Sequence, residues 1–243
     1  MSFSQDAWER NFKLYKSILN LPFNQDLASG HLTKCAFAHY LIQDAHFLLA
    51  YARALSICSA KAYDAHEVMQ FAQSAQTAIV TERGLHREFM SFLNISEESF
   101  KNTPLSLTTH HYTSFLNATA WSESYPVVLA SLLPCFWIYA QVGRDLADKS
   151  NPSNPYQAWI DTYASEEYHS ALRKLLKTID RVAEKCDEDT IARMHHAYTM
   201  ATKLEWLFWE SAYKQSHWHP KLDMLEQPIR TPEDEKSYYF YHI

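Results

Sequence analysis

The sequence predicts an all-α fold, and three features carry that expectation. Only Gly30, Gly84 and Gly143 occur in 243 residues, too few for the tight turns and bulges that sheets need. Long stretches, above all 33–59, run without proline or glycine. Within them apolar residues recur at i, i+3, i+4 and i+7, the spacing of one helical face.

Taken in order, Ser4 can cap a first helix to Leu19, with Trp8, Phe12, Tyr15 and Ile18 on one face. Residues 20–30 (NLPFNQDLASG) read as a loop that positions Phe23. Helices are expected over 33–59 and 65–92, the second interrupted only by Gly84. Turn residues and Pro104 fill 94–108, and a shorter helix follows over 109–120. Pro126 opens the next helix, in the first turn where its missing N–H is harmless. That helix runs to about Lys149 and holds an internal Pro134. SNPSNP (150–155) is a loop, and two helices follow over 156–186, broken near Tyr163, and 189–215. The reading is one helical domain over 1–218, with a proline-bearing C-terminal extension, 219–243, of no assigned role.

Composition narrows the function. A formal charge of −6 argues against a nucleic-acid surface, which normally shows a basic face. Cys35, Cys58, Cys135 and Cys186 show no CxxC and no metal-ligand spacing, so they read as reduced thiols of a cytoplasmic protein. The N-terminus has no apolar signal-peptide core. The longest apolar run, 126–133, falls far short of the ~20 residues of a membrane span. A soluble protein is expected.

A polar residue on an apolar helical stripe needs a reason, because burying it without partners is unfavourable. Asp44 sits among Phe37, Tyr40, Leu41, Phe47, Leu48 and Tyr51. It reads either as an ion-pair partner, for example of Arg53, or as an anchor for a ligand's amino group. Glu205 falls on the stripe of Met194, Ala197, Tyr198, Ala201, Leu204 and Phe208. Desolvation there raises a carboxyl pKa, which suits either a structural pair or a general acid. Cys135 shares its stripe with Val128, Leu132, Tyr139 and Val142. Pro134 beside it removes a backbone hydrogen bond and kinks the helix. His111, Tyr112 and Phe115 lie close together, and the Tyr112 hydroxyl can reach a sulfur or a ligand.

These segments resemble the TenA, or thiaminase II, family of the haem-oxygenase-like helical fold. The resemblance is carried by NQDLASGHL (24–32), FAHYLIQDAHFLLAYARAL (37–55), LLPCFWIYAQVG (132–143), YASEEY (163–168) and LEWLFWESAY (204–213). It implies a single-domain helical bundle that assembles as a homotetramer. It further implies hydrolysis of 4-amino-5-aminomethyl-2-methylpyrimidine to the hydroxymethyl pyrimidine and ammonia in thiamine salvage, with thiamine cleavage as a related activity. By that resemblance Cys135 is the nucleophile and Glu205 the acid. Asp44, Phe47, Tyr139 and Tyr163 contact substrate, and Tyr112 supports the sulfur. Many relatives carry Tyr where this chain has Phe47, which leaves that support to Tyr112. No metal and no organic cofactor is implied. The tail after His219 lies outside the resemblance.

Two other readings stay open. A di-iron oxidase on the same fold needs two Glu-x-x-His pairs plus further carboxylates; the chain offers Glu166/His169 and a looser Glu82/His86. A non-enzymatic regulator is the other. His195, His196, His217 and His219 read as surface or packing residues.

Overall fold

The computed structural model describes residues 1–93, 95–151 and 153–218, without the side chains at 81–88, 91, 97, 99 and 101. The extension 219–243, His219 and the Glu82/His86 pair therefore lie outside the described residues. Ten helices occur among those described: α1 (Phe3–Leu19), α2 (Pro22–Ser29), α3 (Lys34–Lys61), α4 (Ala65–Leu93), α5 (Glu97–Asn102), α6 (Leu107–Ser122), α7 (Tyr125–Ala147), α8 (Gln157–Ala164), α9 (Glu166–Ala183) and α10 (Glu188–Tyr213). No strand is present among them.

The helix ends follow from local chemistry. Thr33, Ser106, Ser165 and Asp187 each accept a backbone N–H of the first turn of α3, α6, α9 and α10, each cap contributing about 1 kcal/mol. At α1 the cap is Ser2, whose hydroxyl accepts from Gln5 N. Ser4, expected in that role, instead donates to Asp180 on α9 at 2.8 Å. Phe12, expected inside, is 43% exposed. The stretch expected as a loop is largely α2: Pro22 starts it, and Gly30, at φ 77°, stops it in the left-handed conformation that favours glycine. Phe23 is wholly buried there, as its positioning role requires. A short six-residue helix, α5, also lies within the segment read as turns.

Helix α7 is the centre of the molecule, packing against α2, α3, α6, α8, α9 and α10. It is also the one helix among the described residues long and apolar enough to cross a membrane. The short run read from the sequence understated it, because Pro134, Cys135 and the aromatic residues that follow extend the apolar surface. Protein surrounds that surface: Val128, Leu129, Leu133, Ile138 and Val142 are fully buried. The long α3 and α4 pack along each other across a three-residue link and close one side. At the other, the last turn of α8 is pressed onto Gly143 of α7. A Cβ at Gly143 would lie 2.6 Å from the Tyr163 carbonyl carbon and 2.9 Å from Ala164 N, both backbone atoms that cannot swing aside.

Gly143→Ala is therefore expected to destabilise the fold by about 1–3 kcal/mol through overpacking and to push Tyr163 outward. Urea unfolding measures the first effect; an unchanged midpoint would show that α8 yields freely.

Candidate active site

Four helices bring the polar residues of the sequence reading to one place. Helix α3 presents Tyr40, Asp44, Phe47 and Tyr51 at steps of four, three and four residues, a single face. From α7 come Cys135 and Tyr139, one turn apart; α10 adds Glu205 and Phe208, and α6 adds Tyr112. All are buried: Asp44 is 5% exposed, Cys135 7% and Glu205 1%. Arg53, nine residues beyond Asp44, is exposed on the far side of α3.

Charge ties the three groups together. Burial pushes the Cys135 thiol well above its ordinary range, and the negative charges of Glu205 and Asp44 push it further. The nearby Tyr51 hydroxyl, able to donate toward the sulfur, opposes this. Burial likewise raises Glu205 to about 8; a hydrogen bond from Tyr112 pulls it down and Asp44 pushes it up. That bond runs from Tyr112 Oη to Glu205 Oε1 at 2.8 Å. Glu205 Oε2 is buried and has no hydrogen-bond partner among the described residues. Near neutral pH this carboxyl holds its proton, and Oε2 is the oxygen free to carry it toward a ligand.

Aromatic rings wall the cluster. Phe47 lies 4.7 Å from Tyr112 and 5.7 Å from Phe208, between centroids. Tyr139 and Tyr163 are 4.9 Å apart. The Tyr139 hydroxyl accepts from Tyr40 at 3.4 Å, and Tyr40 accepts from the Trp159 indole at 3.3 Å. Such a chain fixes ring orientation without any charge.

Tyr112, expected to support the sulfur, donates its hydroxyl to Glu205. The Tyr51 hydroxyl donates to the Leu132 carbonyl at 2.8 Å, in the turn of α7 that carries Cys135. Tyr51 and Tyr40 stood in the sequence as core aromatics; the available signal was that a buried tyrosine hydroxyl needs a partner. Trp209 was also overlooked. It stacks on Tyr40 at 5.5 Å and its buried indole nitrogen has no partner among the described residues.

The remaining candidates lie elsewhere. Among the described residues, no group of three His, Cys, Asp or Glu side chains is placed to hold a metal ion. Glu166 pairs with Arg173, and His169 Nδ1 accepts from Arg144 at 3.2 Å, so that pair is engaged by guanidinium groups. His195 contacts Asp6 and packs on Phe3, and His217 packs against His39.

The pattern of the TENA/THI-4/PQQC family matches residues 8–215. The chain is 32% identical over 219 residues to the aminopyrimidine aminohydrolase of Bacillus subtilis (strain 168), covering 90% of this chain and 92% of that one. It is 28% identical to the aminopyrimidine aminohydrolase of Halalkalibacterium halodurans, over 90% and 99% of the two chains. Among solved structures, the TenA homologue protein from P. horikoshii OT3 superposes with a TM-score of 0.80 at 28% identity, across 88% of this chain and 99% of that one. The helical arrangement is the haem-oxygenase-like fold of TenA homologues, and this chain belongs to the TENA/THI-4/PQQC family.

Proposed function

We propose that this chain is an aminopyrimidine aminohydrolase of thiamine salvage. It converts 4-amino-5-aminomethyl-2-methylpyrimidine and water to the hydroxymethyl pyrimidine and ammonia, and cleaves thiamine as a second activity. One observation carries the reading: a buried thiol and two buried carboxyls meet among aromatic rings, with one carboxyl oxygen unpartnered, in a chain similar to two enzymes of that name.

An aminopyrimidine resists substitution at its exocyclic methylene because the ring electrons are delocalised. In the proposed reaction Asp44 accepts from the ring's 4-amino group and fixes its orientation, while Phe47, Tyr139 and Tyr163 contact the ring. Glu205 gives its proton to a ring nitrogen and makes the ring electrophilic. The Cys135 proton passes to the aminomethyl nitrogen, and the sulfur bonds to a ring carbon, breaking aromaticity. The C–N bond then breaks and ammonia leaves. Water adds its hydroxyl to the methylene and its proton returns to sulfur as the C–S bond breaks. The ring nitrogen gives its proton back to Glu205, and aromaticity is restored. Covalent addition thus divides one difficult displacement into two easier ones. No step needs a metal or an organic cofactor.

We also place this activity in the cytoplasm and in a homotetramer. Trp121, Met69 and Tyr63, 73%, 64% and 63% exposed, offer apolar surface for contacts between copies. Analytical ultracentrifugation is expected to find four chains per particle, and a monomer at micromolar concentration would exclude the assembly.

The direct test incubates the protein with the aminomethyl pyrimidine and with thiamine, following ammonia and thiazole release. Ammonia from the first is expected; turnover of neither substrate would sink the assignment. Cys135→Ser should abolish turnover while ligand binding, measured by calorimetry, persists; a wild-type rate in that variant would remove the covalent route.

Glu205 gives a pH signature. Its protonated form is the active one, so kcat/KM should fall as pH rises through about 8. Glu205→Gln should lower kcat by roughly 10²–10⁴ and erase that limb; a retained limb would assign it to another group. The same shift enters stability. A carboxyl raised from an ordinary pKa of about 4.3 favours the folded state fully at low pH and progressively less up to about 8. Glu205→Gln should therefore melt higher than wild type at pH 8, with the gain vanishing near pH 4.

A further inference from the structure

Positions 47 and 51 are one turn apart on α3, and their rings stack with centroids 5.5 Å apart and planes 19° from parallel. One is a phenylalanine and the other a tyrosine. Tyr51 is 2% exposed, and its hydroxyl donates to the Leu132 carbonyl at 2.8 Å. Leu132 stands three residues before Cys135 on α7, so this hydroxyl lies in the turn that carries the thiol and feels the sulfur's charge.

That position allows two arrangements of one hydrogen. With Cys135 as a thiol, the Tyr51 hydrogen is on Leu132 O. Once the sulfur has lost its proton, the Tyr51 hydrogen turns onto it. The Leu132 carbonyl tolerates that loss, because the N–H of Phe136, four residues on, supplies its helical hydrogen bond. Pro134 removes the donor to Ala130 O, not this one. The rotation moves one hydrogen and no heavy atom.

The need for such a donor is plain from what surrounds the sulfur. Glu205 from α10 and Asp44 from α3 both oppose a second negative charge. Tyr112 from α6, Tyr163 from α8 and Tyr168 from α9 are also close enough to feel it. Of these hydroxyls, that of Tyr112 is held by Glu205, and Phe47 has none. We propose that Tyr51 activates Cys135 in this chain, supplying from one helical turn further along α3 the hydroxyl that position 47 lacks. This inference rests on the covalent reading of Cys135 and adds the group that stabilises its thiolate.

The test compares Tyr51→Phe, Cys135→Ser and the exchanged double variant Phe47→Tyr/Tyr51→Phe, using the aminomethyl pyrimidine. Tyr51→Phe should lower kcat by roughly 10–100-fold, the value of a hydrogen bond to a charged group. KM should stay within about threefold, because the proposed substrate contacts are Asp44, Phe47, Tyr139 and Tyr163 and do not include this hydroxyl. The exchanged variant should recover to within about fivefold of wild type, since it restores a hydroxyl on the same face with the same set of atoms. A merely structural tyrosine would show no such rescue. If Tyr51→Phe alone does not fold, the exchanged variant decides: activity near wild type supports the proposal, and a folded, inactive protein overturns it. Full turnover in Tyr51→Phe beside an inactive Cys135→Ser overturns this inference alone. Turnover in Cys135→Ser instead overturns the covalent reading beneath it.

Discussion

Two carboxyl groups and a thiol share one buried space between α3, α7 and α10, and the repulsion among their negative forms governs the rest of the site. Three like charges cannot coexist there. Glu205 responds by keeping its proton to about pH 8, and Cys135 by remaining a thiol. Each neutral form is a loaded reagent, one holding a proton for a ring nitrogen and the other a latent nucleophile. In the proposed reaction the substrate resolves the conflict, because its ring nitrogen and its amine accept the two protons.

Holding such a cluster requires walls that neither solvate nor collapse. Aromatic side chains serve, since they exclude water by area and still offer a hydroxyl or indole N–H at one edge. The Trp159–Tyr40–Tyr139 chain and the Tyr112–Glu205 bond are of this kind. Every polar tip is aimed by a ring that is itself packed. The price of so dense a wall is intolerance to added volume, visible where α8 rests on bare backbone at Gly143.

Helix α7 links the fold to the chemistry. An internal proline normally breaks a helix, yet Pro134 is retained at the centre of the molecule, next to the thiol. Its neighbours on α7 are held from outside the helix: Tyr51 binds Leu132, and the flanking residues are buried by six other helices. Tertiary packing here outweighs the local preference against helix.

Much of this was legible along the chain. Scarce glycine and the 3.6-residue stripe determine the helices, and the stripe also exposes Asp44, Cys135 and Glu205 as polar residues facing inward. Motifs distant along the chain then marked them as one site. The α2 segment was not legible, because eight residues between a proline and a glycine satisfy loop and helix equally well until Phe23 finds a core to fill. Nor was the pairing of hydroxyls. Periodicity fixes the side of a helix that a residue occupies, but whether Tyr51 or Tyr112 meets the sulfur depends on the rotation and spacing of neighbouring helices. Hydrogen bonds change over fractions of an ångström, and only the packed tertiary structure sets distances on that scale.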